Sequence, residues 1–295
     1  MAAPADGALL KTARSLATWS RGPVTGPELS DGEFFRFCRL VHQHAGIHLT
    51  AHKKEMVRAR LMKILRVRGL TSFQEYYELV LADKSGAELA GLLDALSTNL
   101  TSFWREPGHF QYLAQEVLPG WRQERKPWRK TLWSAGCSTG EEPYTLAMLL
   151  LDTFSGLDLS GVKVYATDLN TQVLAQAEAG IYPLARIKAL PSEWRGFFRK
   201  GIRDKTGYVQ VKPEVRRLVQ FFRFNLMDRF PFREKLDVIF CRNVMIYFEK
   251  NTQVKLVERF HQALNPGGYL FIGHSESLCN HRHRFKYVKP AIYRK

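Results

Sequence analysis

The sequence predicts an α/β protein in which a small all-α N-terminal domain precedes a doubly wound parallel-sheet domain that carries an inserted antiparallel β-subdomain. Three observations predict it. Residues 30–97 show helical spacing of apolar side chains and no strand signal. The stretch from Leu132 to Tyr144 reads as a buried strand, a small-residue turn and the first turn of a helix. Val162 to Asp168 then repeats the strand pattern and ends in an acid.

With 295 residues, 45% of them hydrophobic, the chain can bury two domains. No apolar run approaches the roughly 20 residues that a membrane span needs, and no secretory signal opens the chain, so a soluble cytoplasmic protein is expected. Cys38, Cys137, Cys241 and Cys279 form no C-x-x-C pair, so neither a disulfide framework nor a metal site is expected. A net charge of +16 predicts an acidic partner: nucleic acid, an anionic membrane surface or an acidic protein.

Residues 1–27, rich in Ala, Gly and Pro, read as a flexible leader. The helical domain spans 28–98. Ser30-Asp31-Gly32-Glu33 is a capping box, Phe34, Phe37, Cys38 and Val41 follow at helical spacing, and Gly46 stops the helix. A second helix, from about Thr50 to Arg68, places Val57, Leu61, Ile64 and Leu65 on one face. Arg60, Lys63 and Arg66 form a cationic stripe on the other, with Arg58 nearby. Thr71-Ser72-Phe73-Gln74 caps a third helix, and a fourth runs from about Ala87 to Ser97.

A linker segment and helix occupy 99–130. Thr98 to Glu106 mixes hydroxyls, an amide, two aromatics and Arg105, with Pro107 at the first position of a helix and a basic loop from Trp121 to Lys130. The sheet domain spans 131–295. Asp168 leads into a helix over Asn170–Gly180, and the long stretch at about 181–224 reads as the antiparallel insertion, including the alternation from Leu218 to Phe224. Leu236 to Cys241 is the next parallel strand, with Arg242, Asn243 and Tyr247 at its carboxyl end. A helix over Thr252–Leu264, a strand from Tyr269 to His274 and two short strands near Phe285–Val288 and Ala291–Tyr293 complete the sheet.

The turn after Leu132-Trp133 identifies the ligand class. Gly136 and Gly140 permit close backbone approach, but the spacing is not G-x-G-x-x-G. Glu141 and Glu142 stand where a pyrophosphate would need positive potential. An acidic turn suits an adenosine joined to a positive charge, as in S-adenosylmethionine. Asp168, at the tip of the neighbouring strand, is placed to reach ribose hydroxyls, to cap the helix that follows, or both.

Four segments together resemble one family: Thr98-Asn99-Leu100-Thr101 with Arg105-Glu106, Ser138 to Tyr144, Cys241 to Phe248, and Gly273-His274-Ser275-Glu276. This combination resembles the CheR family of chemotaxis receptor methyltransferases, in order from about Ser30 to Tyr293. The resemblance implies a Rossmann-like S-adenosylmethionine-dependent methyltransferase domain and esterification of glutamates on receptor signalling helices, which serves adaptation. It implies that Asn99, Thr101 and Arg105 contact S-adenosylmethionine, that Glu142 and Asp168 bind its amino and ribose ends, and that Asn225, Leu226, Arg242 and Asn243 frame the adenine and methionyl parts. Arg105 and Tyr247 fall beside the methyl group, and Arg58, Arg60, Lys63 and Arg66 dock the acidic helix. In some members of the family the β insertion tethers a receptor C-terminal peptide, which the length of Gly201–Gly207 permits here, and nothing demands more than a monomer. Cys137 and Trp104 depart from the small residue and Phe common in the family, without removing a polar role.

Two rivals carry other predictions. A nucleic-acid methyltransferase would explain the charge, but after the strand this chain has Arg242-Asn243-Val244-Met245 and not an Asn-Pro-Pro-aromatic loop. A non-enzymatic adaptor would have no need of Arg105 and Tyr247.

Overall fold

A computed structural model describes residues 26–124, 129–279 and 282–295. The expected leader, apart from its last two residues, and four residues of the expected basic loop (125–128) lie outside the described residues.

Four helices close on a core of their own. Ser30 caps α1 (Asp31–Ala45): its hydroxyl accepts from Glu33 N at 3.2 Å, and Glu33 Oε2 accepts from Ser30 N at 2.9 Å. Gly46 ends the helix at φ 70°. The second helix starts later than its apolar pattern suggests, because Ala51–Lys53 form a 3-10 turn before α2 (Lys54–Arg68). Next come α3 (Phe73–Ala82), capped by Ser72, and α4 (Ala87–Leu96). Phe34, Phe37, Val57, Leu61, Tyr76 and Leu92 are buried together between them.

The linker leads into α5 (Pro107–Tyr112), which continues through a π-helical turn (Leu113–Val117) into α6 (Leu118–Gln123). Trp121 therefore lies in a helix, where its ring closes the core, and not in the loop expected from the sequence.

The main sheet contains β1 (Lys130–Ala135), β2 (Val162–Asp168), β6 (Val219–Arg223), β7 (Leu236–Cys241), β8 (Leu264–Ile272), β9 (Lys286–Lys289) and β10 (Ile292–Arg294), in the order β6-β2-β1-β7-β8-β10-β9. The first five are parallel, β10 returns antiparallel to β8, and β9 pairs antiparallel with β10. Alternation along each strand feeds two cores. Leu132, Val164, Val238 and Phe271 face α7 (Glu141–Thr153), while Trp133, Ile239 and Leu270 face α10 (Lys250–Ala263).

One boundary of the insertion needs correction. The alternating residues after Leu218 do not belong to the antiparallel element, since β6 runs parallel to β2 with Val164 opposite Val219 and Asp168 opposite Arg223. Alternation marks a strand but not the sheet it joins. The inserted sheet is β3 (Ile181–Pro183), β5 (Tyr208–Val211) and β4 (Phe198–Lys200), in that spatial order. α8 (Thr171–Ala179) precedes it, ended by Gly180 as expected but capped by Asn170 in place of Asp168, and the single turn α9 (Pro213–Arg216) returns the chain to β6.

From β1 the sheet grows to β2 and β6 on one side and to β7 and β8 on the other. The space above the carboxyl ends of β1 and β7 is thus the switch point at which open parallel sheets bind ligands. The helical domain is fastened over it. Asp94 Oδ1 accepts from Thr171 N at 2.9 Å, Asn170 Nδ2 donates to Ser97 Oγ at 2.8 Å, and His48 N donates to Tyr247 O at 2.7 Å. Among the described residues no helix is long and apolar enough to cross a membrane.

Candidate active site

A cavity of about 240 Å³ lies between the two domains at the switch point. Its floor is the turn after β1. Gly136 has φ 85°, and a Cβ there would sit 2.4 Å from Val244 Cγ2; Gly140 has φ 91°, and a Cβ would sit 2.8 Å from Ala177 Cβ. Both positions therefore demand glycine for conformation and for room.

The two glutamates of the next turn separate. Glu141 is fully buried and points away, bonded to Thr139 Oγ1 at 2.6 Å and paired with Arg186 of the inserted subdomain. Glu142 faces the cavity, where Oε1 accepts from Ser134 Oγ at 2.6 Å and Oε2 lies 3.0 Å from Arg242 Nη1. Asp168 lines the same cavity and accepts from Ser138 N at 2.8 Å and Asn170 N at 2.9 Å. The cap of α8 is Asn170 itself, so Asp168 braces that cap and the β1 turn together. Burial raises the Asp168 pKa against those backbone donors.

Asn99, Thr101, Arg105, Asn225, Leu226, Arg242, Asn243 and Tyr247 line this cavity with Glu142 and Asp168. The linker divides its side chains. Leu100, Thr101 and Arg105 line the cavity, while Phe103 is buried in the sheet core and Trp104 stacks on Phe110 at 5.3 Å. Arg105 is held by a bond from Nη1 to Leu100 O at 2.7 Å. Tyr247 has Lys53 Nζ 5.4 Å from its ring centroid, so one π face is already occupied by a cation. Asn225 ties the site to the helical domain through His44 O and folds its own turn by accepting from Met227 N at 3.0 Å.

The docking stripe is not uniform. Arg60 is half-buried, and its Nη1 donates to Ala95 O, Leu96 O and Ser97 O at 3.2, 3.0 and 2.7 Å, closing the carbonyl end of α4. Its guanidinium is therefore engaged within the helical domain. Arg58 is also half-buried, donating from Nε to Pro27 O at 3.2 Å. Lys63 and Arg66 are exposed.

Several residues of the site were given no individual role by the sequence. Ile47, Lys53 and Met56 of the helical domain line the cavity because that domain folds over it. Glu106 Oε2 lies 3.0 Å from Arg242 Nη2, which places that buried cation between two carboxylates. Burial pushes the Glu106 pKa up, but Arg242 and the neighbouring imidazoles outweigh it and leave it below its ordinary value. Glu276 pins the loop after β7, accepting from Asn243 N and Gly273 N on Oε2 at 2.9 and 2.6 Å and from Ile246 N on Oε1 at 3.2 Å. Asn243 itself sits at φ 58°.

This arrangement suits an adenosyl sulfonium. Apolar walls from Ile47, Phe224 and Leu226 flank an acidic end, and Asn243 Oδ1 is a buried acceptor without a partner among the described residues. Glu142 presents its charge to the cavity, and the Gly136 turn lets a ligand approach backbone where a side chain would block it.

Comparison with known proteins agrees. Residues 99–293 match the family described as CheR methyltransferase, SAM binding domain, and residues 32–97 match the CheR methyltransferase all-alpha domain. The chain is 40% identical over 267 residues to a chemotaxis protein methyltransferase of Salmonella typhimurium, covering 90% of each chain. It is 40% identical to that of Escherichia coli over 90% of this chain and 91% of the other, and 38% identical to that of Borreliella burgdorferi over 90% and 95%. S-adenosylmethionine is the cofactor and methyl transfer in chemotaxis the activity; the chain belongs to the CheR methyltransferase family.

Proposed function

We propose that this chain esterifies glutamate side chains on the signalling helices of chemoreceptors, acting in the cytoplasm as a monomer. The observation that carries the reading is Arg105, a guanidinium held at the wall of the cavity that also presents Glu142 and Asp168. When bound, S-adenosylmethionine supplies an electrophilic methyl group on a sulfonium.

Glu142 receives the ammonium end and Asp168 the ribose hydroxyls, while Asn225, Leu226 and Asn243 frame the adenine. Asn99 and Thr101 approach from the linker, and Arg242 steadies Glu142. A substrate glutamate is already ionised at neutral pH, so it needs no general base. It needs alignment and release from water, and the free N–H donors of Arg105 can hold one carboxylate oxygen while the other faces the methyl group. Tyr247 then contributes its hydroxyl and the ring face away from Lys53. Exposed Leu100 and Ile246 at the rim offer apolar contacts to a helix that presents its glutamate inward.

Lys63 and Arg66 supply the positive field that an acidic helix would meet. The inserted sheet leaves β3 and β4 as edges around β5, a form that accepts an added strand, which supports a receptor tether peptide there.

The test is transfer of radiolabelled methyl to acidic receptor fragments and, in parallel, to nucleic acid, with Arg105→Ala as control. Label on protein that mild base releases as methanol, and that Arg105→Ala loses, supports the reading. Base-stable label on nucleic acid would overturn it, and S-adenosylmethionine binding without any transfer would favour an adaptor.

A further inference from the structure

Behind Arg242, Glu106, His109 and His274 converge, with one donor atom of each lying within 4.8 Å of the other two. His109 is 1% exposed, and neither of its ring nitrogens has a hydrogen-bond partner among the described residues. Its Nδ1 faces Glu106 Oε2 at 3.5 Å, too distant to be satisfied by it. Phe240 and Phe271 meet the ring edge-on, and the centroid of His274 stands 4.8 Å away. Buried imidazoles are ordinarily hydrogen-bonded, so one with two bare nitrogens beside a carboxylate and a second imidazole calls for a ligand.

We infer that Glu106, His109 and His274 form a site for a late first-row divalent cation, with zinc as the type. Two imidazoles and one carboxylate are a donor set that zinc takes in tetrahedral geometry with a fourth position open. His274 is exposed, which gives a cation entry from solvent and a water for that fourth position. Tetrahedral bonds of about 2 Å bring donors to roughly 3.4 Å of one another, a closure that the exposed His274 side chain supplies by moving inward. Sequence spacing could not reveal the site, because its ligands come from the start of α5 and from the loop after β8.

The site is coupled to the cavity. Glu106 Oε2 also pairs with Arg242 at 3.0 Å, and Oε1 accepts from Asn243 Nδ2 at 3.4 Å. A cation on Glu106 competes with both, so cation and S-adenosylmethionine oppose each other's binding reciprocally. This coupling, though not the site itself, rests on placing S-adenosylmethionine in the cavity.

The test titrates the full chain with Co(II) and reads visible absorption. One equivalent should give the intense d–d bands of a tetrahedral ion, zinc should displace it, and His274→Ala should weaken binding at least about tenfold. His274→Cys should restore binding and add a thiolate-to-cobalt band in the near ultraviolet. Absence of tetrahedral bands, or Co(II) binding that His274→Ala leaves intact because other surface histidines supply it, overturns the site. Zinc should also lower S-adenosylmethionine affinity about tenfold in the unaltered protein and not in His274→Ala. A zinc-bound protein with unchanged S-adenosylmethionine affinity overturns the coupling and leaves the site standing.

Discussion

Arg242 Nη1 lies 3.0 Å from Glu142 Oε2, and Nη2 of the same guanidinium lies 3.0 Å from Glu106 Oε2. A cation 6% exposed thereby joins the first turn of α7 to the start of α5. Removing one member of such a group strands the others in a site of low polarity, at about 3–5 kcal/mol. Arg242→Ala should destabilise the protein on that scale in urea unfolding, and Arg242→Lys, which cannot bridge two carboxylates, by an intermediate amount. An unchanged midpoint for Arg242→Ala would show that the pairings do not hold the site together.

Glu276 holds three backbone N–H groups of the loops after β7 and β8 with two oxygens. Glu276→Gln must turn an amide N–H toward at least one of them, which costs about 1–3 kcal/mol. Because Asn243 and Tyr247 ride on that loop, S-adenosylmethionine affinity should fall about tenfold, the equivalent of about 1.4 kcal/mol. Calorimetric titration reads it, and affinity equal to that of the unaltered protein would mean the loop is positioned by other contacts.

At Gly136 two costs can be separated. A Cβ meets Val244 Cγ2 at 2.4 Å, and the backbone is at φ 85°. Overpacking costs about 1–3 kcal/mol, and the left-handed conformation about another 1 kcal/mol. Gly136→Ala should lose both, while Gly136→Ala with Val244→Ala should recover only the first. Full recovery in the double variant would argue that the backbone conformation carries no cost.

The cationic helix predicts a split between stability and docking. Arg60→Ala leaves the carbonyls of Ala95, Leu96 and Ser97 short of a donor and should cost about 1–3 kcal/mol of stability. Lys63→Ala and Arg66→Ala should change stability by no more than about 0.5 kcal/mol. Their effect should instead be a severalfold rise in KM for receptor fragments, strongest at low salt. If KM stays put across salt concentrations, the acidic helix docks elsewhere.

Asp168 sets a pH dependence whose sign follows from burial. Its folded-state pKa lies above the ordinary 3.8, so between those values the native state binds more proton than the unfolded chain. Its contribution to stability therefore falls as pH rises through that window and is level above it. Asp168→Asn removes this slope while adding a constant loss of about 0.5–1.5 kcal/mol for weakened hydrogen bonds. Urea unfolding from pH 4 to pH 7 should show the variant gaining on the unaltered protein as pH rises, and a pH-independent difference would contradict the assignment.

Local patterns determined much of this protein in advance. The capping box at Ser30, the stop at Gly46, the helix end at Gly180, the strand–turn–helix at Leu132–Tyr144 and the acid at Asp168 all depend on near neighbours in the chain, and each stands where the sequence placed it. The motifs on either side of the switch point could be joined because parallel sheets put strand ends together.

What needed tertiary structure was every choice made between distant segments. Alternation identified Val219–Arg223 as a strand, but only its pairing with β2 assigned it to the main sheet. Helical spacing put Arg60 in a cationic stripe, but the packing of α2 on α4 turned its guanidinium to three carbonyls. Glu141 and Glu142 are adjacent and chemically alike, yet one is spent on Arg186 and the other faces the cavity. The physical reason is range: caps and periodicity act within a few residues, whereas the partner of a buried charge is decided by which distant segment the fold delivers beside it.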